Sequence, residues 1–192
     1  MRLKSITTRL PDQLVFNPAP FAMCSTVTFV ATKSCPSNTK MGESTITVDA
    51  GPDFPTPIEA KATLYFGTGY SVLAYVTASR PATIEEAVIG QLQTSSTATD
   101  ASTGYGLQLS IPVTPKIQQP LDNVFPTVRS FVAKINPLTE KVKVDGKKVT
   151  LPLVGLGVCK KLNFKVSVEY TNAENGPTTT TDTDDSSQAC KK

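Results

Sequence analysis

The chain has 192 residues, a net charge of +3, and neither histidine nor tryptophan. Lacking histidine, it lacks the side chain that titrates near neutral pH and the commonest metal ligand, which excludes the usual general base and the usual zinc, copper and iron sites. Charged residues make up only 18% of the sequence, against a usual value of about 25%, so much of the surface is uncharged Thr, Ser, Asn and Gln, a coat suited to packing against neighbouring subunits.

The N-terminus, Met1-Arg2-Leu3-Lys4-Ser5-Ile6, is basic, but no apolar core of signal-peptide length follows it. No apolar run approaches the ~20 residues of a membrane span. The expectation is a protein that is not exported by a cleaved signal and that works in the cytoplasm or leaves a cell inside a virion. Residues 1–20 read as an N-terminal arm, 21–171 as a single β domain, and 172–192 as a polar Thr/Asp-rich C-terminal tail.

Alternation with a period of two recurs along the domain. Val27, Phe29 and Ala31 alternate with threonines between Cys24 and Cys35, which predicts a strand. Ile46 and Val48 predict a second, and Ile58, Ala60, Ala62, Leu64 and Phe66 predict a longer one. Gly51 to Pro57 holds three prolines and reads as a stiff crossover. Val72 to Thr77 is a more continuous apolar run, as a central strand would be. Ser79 to Glu86 carries a proline and a Thr-x-x-Glu spacing, and Ile84, Ala87, Val88, Gln91 and Leu92 follow helical spacing. A short helix is expected there.

Thr94 to Gly106 is a Ser/Thr/Gly/Ala loop. Leu107, Leu109, Ile111 and Val113 alternate until the prolines, and Pro112 suggests an edge strand or a bulge. Val124 to Ile135 suits strand and helix equally. Asp145-Gly146 lies between alternating runs and predicts a tight two-residue hairpin turn. Leu162, Phe164, Val166, Val168 and Tyr170 predict a half-buried strand. The sum is an all-β fold, an antiparallel β-sandwich or jelly-roll with one short α-helix and extended terminal arms.

Cys24, Cys35, Cys159 and Cys190 fit neither a zinc pattern nor a redox motif. The first two are spaced for a bridge across a hairpin, but a chain without an export signal is expected to keep free thiols. Asp182, Asp184 and Asp185 lack the glycine and distal glutamate of a calcium loop and read as solvated tail. Glu85 and Glu86 are explained by helix capping, and Gly67-Thr68-Gly69 by a hairpin turn. No serine or cysteine nucleophile has an identifiable base. The reading is therefore not an enzyme, and no cofactor is implied.

Lys143, Lys147 and Lys148 flank the Asp-Gly turn and are candidates for one basic surface, to which Arg2, Lys4 and Arg9 would add. The simplest account is a solvated hairpin whose lysines keep its edge from pairing. The functional alternatives are nucleic-acid phosphate, for which +3 is a weak field, and an acidic partner such as this chain's own Asp182–Asp185 in a neighbouring copy. The expected function is a self-assembling structural subunit, a viral coat, capsid or tail component located in the virion. Its partners would be copies of itself and other structural subunits. The alternative is an extracellular or surface adhesion module with a binding loop at 94–106.

Overall fold

A computed structural model describes residues 2–94, 104–157, 161–171 and 179–189. Alternating apolar residues put the chain into strands, and nine of these form one curled antiparallel sheet. Its interior is a run of neighbours in chain order: β3 (Lys40–Asp49), β4 (Ile58–Gly67), β5 (Ser71–Ala78), β6 (Ile84–Thr94) and β7 (Tyr105–Pro112). Beside β7 lie β1 (Arg2–Pro11), β12 (Lys161–Thr171) and β13 (Thr179–Ala189), and beside β3 lies β8 (Thr127–Ile135). Two ribbons stand apart, one of β2 (Leu14–Phe16) with β11 (Val154–Leu156), the other of β9 (Thr139–Val144) with β10 (Lys147–Pro152). The all-β antiparallel class expected from the sequence is the observed one.

The register decides which residues are buried together. Leu64 pairs with Ala74, and Ala74 with Val88, so these share the inner face with Phe66, Val76 and Phe21. Tyr65 pairs with Leu73, and Leu73 with Ile89, on the outer face. There they meet Phe29 from the helix α1 (Thr26–Thr32). The crossover from β7 to β8, including the one-turn helix α2 (Pro115–Gln118), contributes Val113 and Ile117 to an inner cluster with Leu3, Ile6 and Tyr170. Two short helices are present among the described residues, and neither lies where a helix was expected.

Three secondary-structure expectations are corrected by the fold. Residues 84–92 are β6, not a helix. Ile84, Val88 and Leu92 recur every four residues, a spacing that fits a period of two as well as a helical turn. Pairing with β5 and β7 then selects the strand. Val27, Phe29 and Ala31 lie on α1, not on a strand. Ser25 caps it by accepting from the Thr28 amide at 3.4 Å, Lys33 ends it in the left-handed region at φ 54°, and Phe29 is fully buried. Pro112 is the last residue of an interior strand rather than part of an edge, and the missing amide falls where the ladder ends.

The terminal segments belong to the sheet. Residues 2–11, set apart as an arm, run as β1 between β12 and β7. Leu3 and Ile6 are three apart yet both buried, because the register shifts by one residue between Leu3 and Ser5. That bulge turns both side chains inward. Within the tail, Thr179–Ala189 pairs along its whole length with β12. The even expectation for Val124 to Ile135 resolves to strand, and residues 95–103 of the expected loop lie outside the described residues.

The Cys24–Cys35 pair is a disulfide, with S–S 2.00 Å and Cα–Cα 5.7 Å, which corrects the free-thiol expectation for these two. The fold places Cys35 beside buried Cys24 under the outer-face cluster, so proximity overrides the argument from compartment. The bridge spans α1 rather than a hairpin. Cys159 and Cys190 lie outside the described residues.

Candidate functional site

The β9–β10 ribbon is exposed over nine of its twelve residues, Val144 and Val149 included. Its turn is the one predicted: Asp145 at φ 49° and Gly146 at φ 78° are both left-handed, as a two-residue type I′ hairpin requires. The ribbon leaves the body between Leu138 and Leu153, whose backbones join at 2.9 Å and whose side chains are set in the inner core. Beyond that anchor β9 and β10 pack chiefly on each other.

The register gives the hairpin two faces. Lys143 opposes Lys148 and Lys141 opposes Thr150, which makes one face basic. Val142 opposes Val149, and Val144 opposes Lys147, on the other. Val144 is 47% and Val149 38% exposed. Lys147 therefore does not share the surface of Lys143 and Lys148, because a two-residue turn sets 147 across from 144. Like charges facing each other across the ladder are mutually destabilising until an anion lies between them.

Arg2, Lys4 and Arg9 are not part of this surface. All three are on β1 inside the sheet. Lys4 Nζ donates to Glu169 at 2.9 Å, and the Arg2 guanidinium stands 5.2 Å from the ring centre of Phe125. The Lys4 hydrogen bond, with a second from the Ser5 hydroxyl, holds the Glu169 carboxyl below its ordinary range. Lys4 and Arg2 are thus engaged within the fold.

The acidic counterpart is β13, one edge of the nine-stranded sheet. Every residue of β13 is exposed. Asp182 and Asp184 oppose Val168 and Val166, while Asp185 opposes Lys165 and pairs with it at 3.8 Å. Asp182 and Asp184 thus share a face from which Asp185 is absent, and the three carboxylates do not converge. The other edge, β8, curls back toward β12 and β13 without pairing to them. A cleft of about 190 Å³ separates the edges, with Arg129 and Phe131 on one side and Asp182 and Asp184 on the other. Tyr170 reaches across it, its hydroxyl accepting from the Val128 amide at 3.3 Å.

Sequence reasoning found the hairpin and named the acidic run, but missed that the run is an open strand edge. Among the described residues no three Asp, Glu or Cys side chains gather as a metal site would require, and no helix is long and apolar enough to cross a membrane. Fold and site define an all-β protein built on one curled antiparallel sheet, with a freestanding basic hairpin and an acidic free edge. No family model, curated protein or solved structure gives a significant match to the chain.

Proposed function

We propose that the chain is a self-assembling structural subunit in which the β9–β10 hairpin of one copy docks on the β13 edge of the next. The observation that carries this is the freestanding hairpin. A two-stranded ribbon is marginal in water by itself, and this one leaves valines open on one face. Its other face carries Lys141, Lys143 and Lys148, opposite in sign to Asp182 and Asp184. An unpaired strand edge is a ready template for another strand. The contact joins two different surfaces of the same chain, so it repeats into a ring, shell or fibre. A virion coat or tail is the setting that the uncharged polar composition favours, with other structural subunits as further partners.

A second reading, an extracellular or surface binding module, draws support from the Cys24–Cys35 disulfide, since such bonds persist in oxidising surroundings. Virion surfaces are also such surroundings, so the bond fits both readings. The test is negative-stain microscopy with light scattering on the full chain and on a variant whose residues 141–150 are replaced by a short Gly-Asn turn. The Leu138–Leu153 backbone bond already closes the base of that excursion, so the shortened chain keeps its core. Assemblies from the full chain and monomers from the shortened one are expected. A full chain that stays monomeric across salt and concentration would favour the binding module.

A further inference from the structure

Each strand of the β9–β10 hairpin has one free edge, and the two edges carry different charge patterns. On the basic face β10 presents Lys148 followed by Thr150, whereas β9 presents Lys141 and Lys143, both exposed. Residues two apart on a strand are neighbours on one face. On β13 the same spacing sets Asp182 beside Asp184, opposite Val168 and Val166. The charges of β9 therefore match those of β13 at both positions, and β10 matches at one.

Two alignments bring both lysines against both aspartates. The antiparallel one sets Lys141 on Asp184 and Lys143 on Asp182, and it also puts Glu140 opposite Asp185. Like charges facing each other across a ladder are destabilising. Lys165, 3.8 Å from Asp185, would be one cation between two carboxylates. The parallel alignment sets Lys141 on Asp182 and Lys143 on Asp184, and it moves Glu140 to Thr181 and Val144 to Asp185. Parallel pairing is slightly weaker per residue. Over so short a contact the like-charge pair decides.

We propose that β9 of one copy adds to the β13 edge of the next as a parallel strand, with Lys141 against Asp182 and Lys143 against Asp184. This rests on the assembly reading above and fixes its strand, register and direction. Exposed ion pairs add little affinity one by one. Here they select the alignment, and the backbone ladder supplies the attraction.

The test joins cysteines between copies of the full chain under mild oxidation. Linked species are read on a denaturing, non-reducing gel, and the joined peptides are mapped by mass spectrometry. Three double variants keep every charge: Val142→Cys with Thr183→Cys, Thr139→Cys with Thr180→Cys, and Thr139→Cys with Ser186→Cys. Residues 142 and 183 face each other in both alignments, 139 and 180 in the parallel one, and 139 and 186 in the antiparallel one. The first two variants are expected to link copies at the introduced cysteines, and the third to stay unlinked there. A link between 139 and 186 would overturn the direction. Assemblies without a link between 142 and 183 would overturn the pairing of β9 with β13, while the self-assembling reading stood. A chain that forms no assemblies would overturn both.

Discussion

The Tyr170 hydroxyl accepts a hydrogen bond from the Val128 amide at 3.3 Å, joining β12 to β8, two strands that share no backbone ladder. It holds the curled sheet's two margins together with a side chain where a closed barrel would use a strand pair. Val128 also packs with Val166 and Val168 beside Tyr170, so the bond is sheltered.

Tyr170→Phe should therefore cost about 1 kcal/mol by urea unfolding, because it leaves the Val128 amide unpaired while preserving the ring's packing. Burial pushes the Tyr170 phenol above its ordinary value of 10.0, and Asp182 adds to this, against the lowering effect of the Val128 bond. A raised pKa in the folded state gives stability that is complete below the unfolded value and is lost as pH rises through the folded one. The wild-type chain should lose stability above about pH 10 more steeply than Tyr170→Phe.

Glu169 behaves in the opposite sense. Its carboxyl is held low by Lys4 and Ser5, so its contribution is complete above the ordinary 4.5 and is lost as pH falls through the lowered value. Glu169→Gln should cost up to about 1 kcal/mol at pH 7, the scale of a partly exposed pair. Wild-type and variant melting temperatures should converge on acidification.

Ser44 tests the cost of an orphaned hydroxyl. It is 4% exposed and its Oγ has no partner among the described residues. Ser44→Ala should raise the stability of the chain by about 1 kcal/mol, measured as a higher urea midpoint with an unchanged slope.

Gly42 follows the bulge in the β3–β4 register and stands opposite Ile135 of β8. A Cβ at this position would strike the Lys134 carbonyl oxygen and crowd Ile135 Cα. Both are backbone atoms, which cannot swing aside as a side-chain tip can. Gly42→Ala should cost about 1–3 kcal/mol, and hydrogen exchange should quicken first at the β3–β8 ladder.

The Cys24–Cys35 bridge closes a loop of sequence separation 11 around α1. Replacing both cysteines with alanine should cost about 2–3 kcal/mol on the chain-entropy scale. The loss should concentrate on the contact of Phe29 with Leu73.

What was legible in the sequence follows from which forces act locally. The β4 and β12 strands alternate without interruption, and the β9–β10 turn depends on two residues that tolerate positive φ, so both were readable. The β1 strand was hidden because its bulge breaks the alternation at Lys4. In β6, a four-residue recurrence satisfied two periods at once, and only pairing with distant strands selects one. For α1, a threonine- and valine-rich segment becomes helical because Phe29 is buried under a sheet face assembled from residues 65–89. The β13 strand carries no apolar signal, since an edge strand can be held by its ladder to β12 with nothing buried. The basic site was half legible: Lys143 and Lys148 do face the same way, while Lys147 was misplaced by ignoring the turn's register.

The most direct test of the assembly account is a charge exchange followed by sedimentation velocity. Lys143→Glu with Lys148→Glu should abolish assembly, and so should Asp182→Lys with Asp184→Lys. Both swelling and melting of the fold are checked by circular dichroism, because all four residues are at exposed or edge positions. Mixing the two variants, or combining all four changes in one chain, should restore large species, because each restores opposite charges across the contact. Assembly that survives either double variant, or a mixture that stays monomeric, would contradict docking of the hairpin on β13.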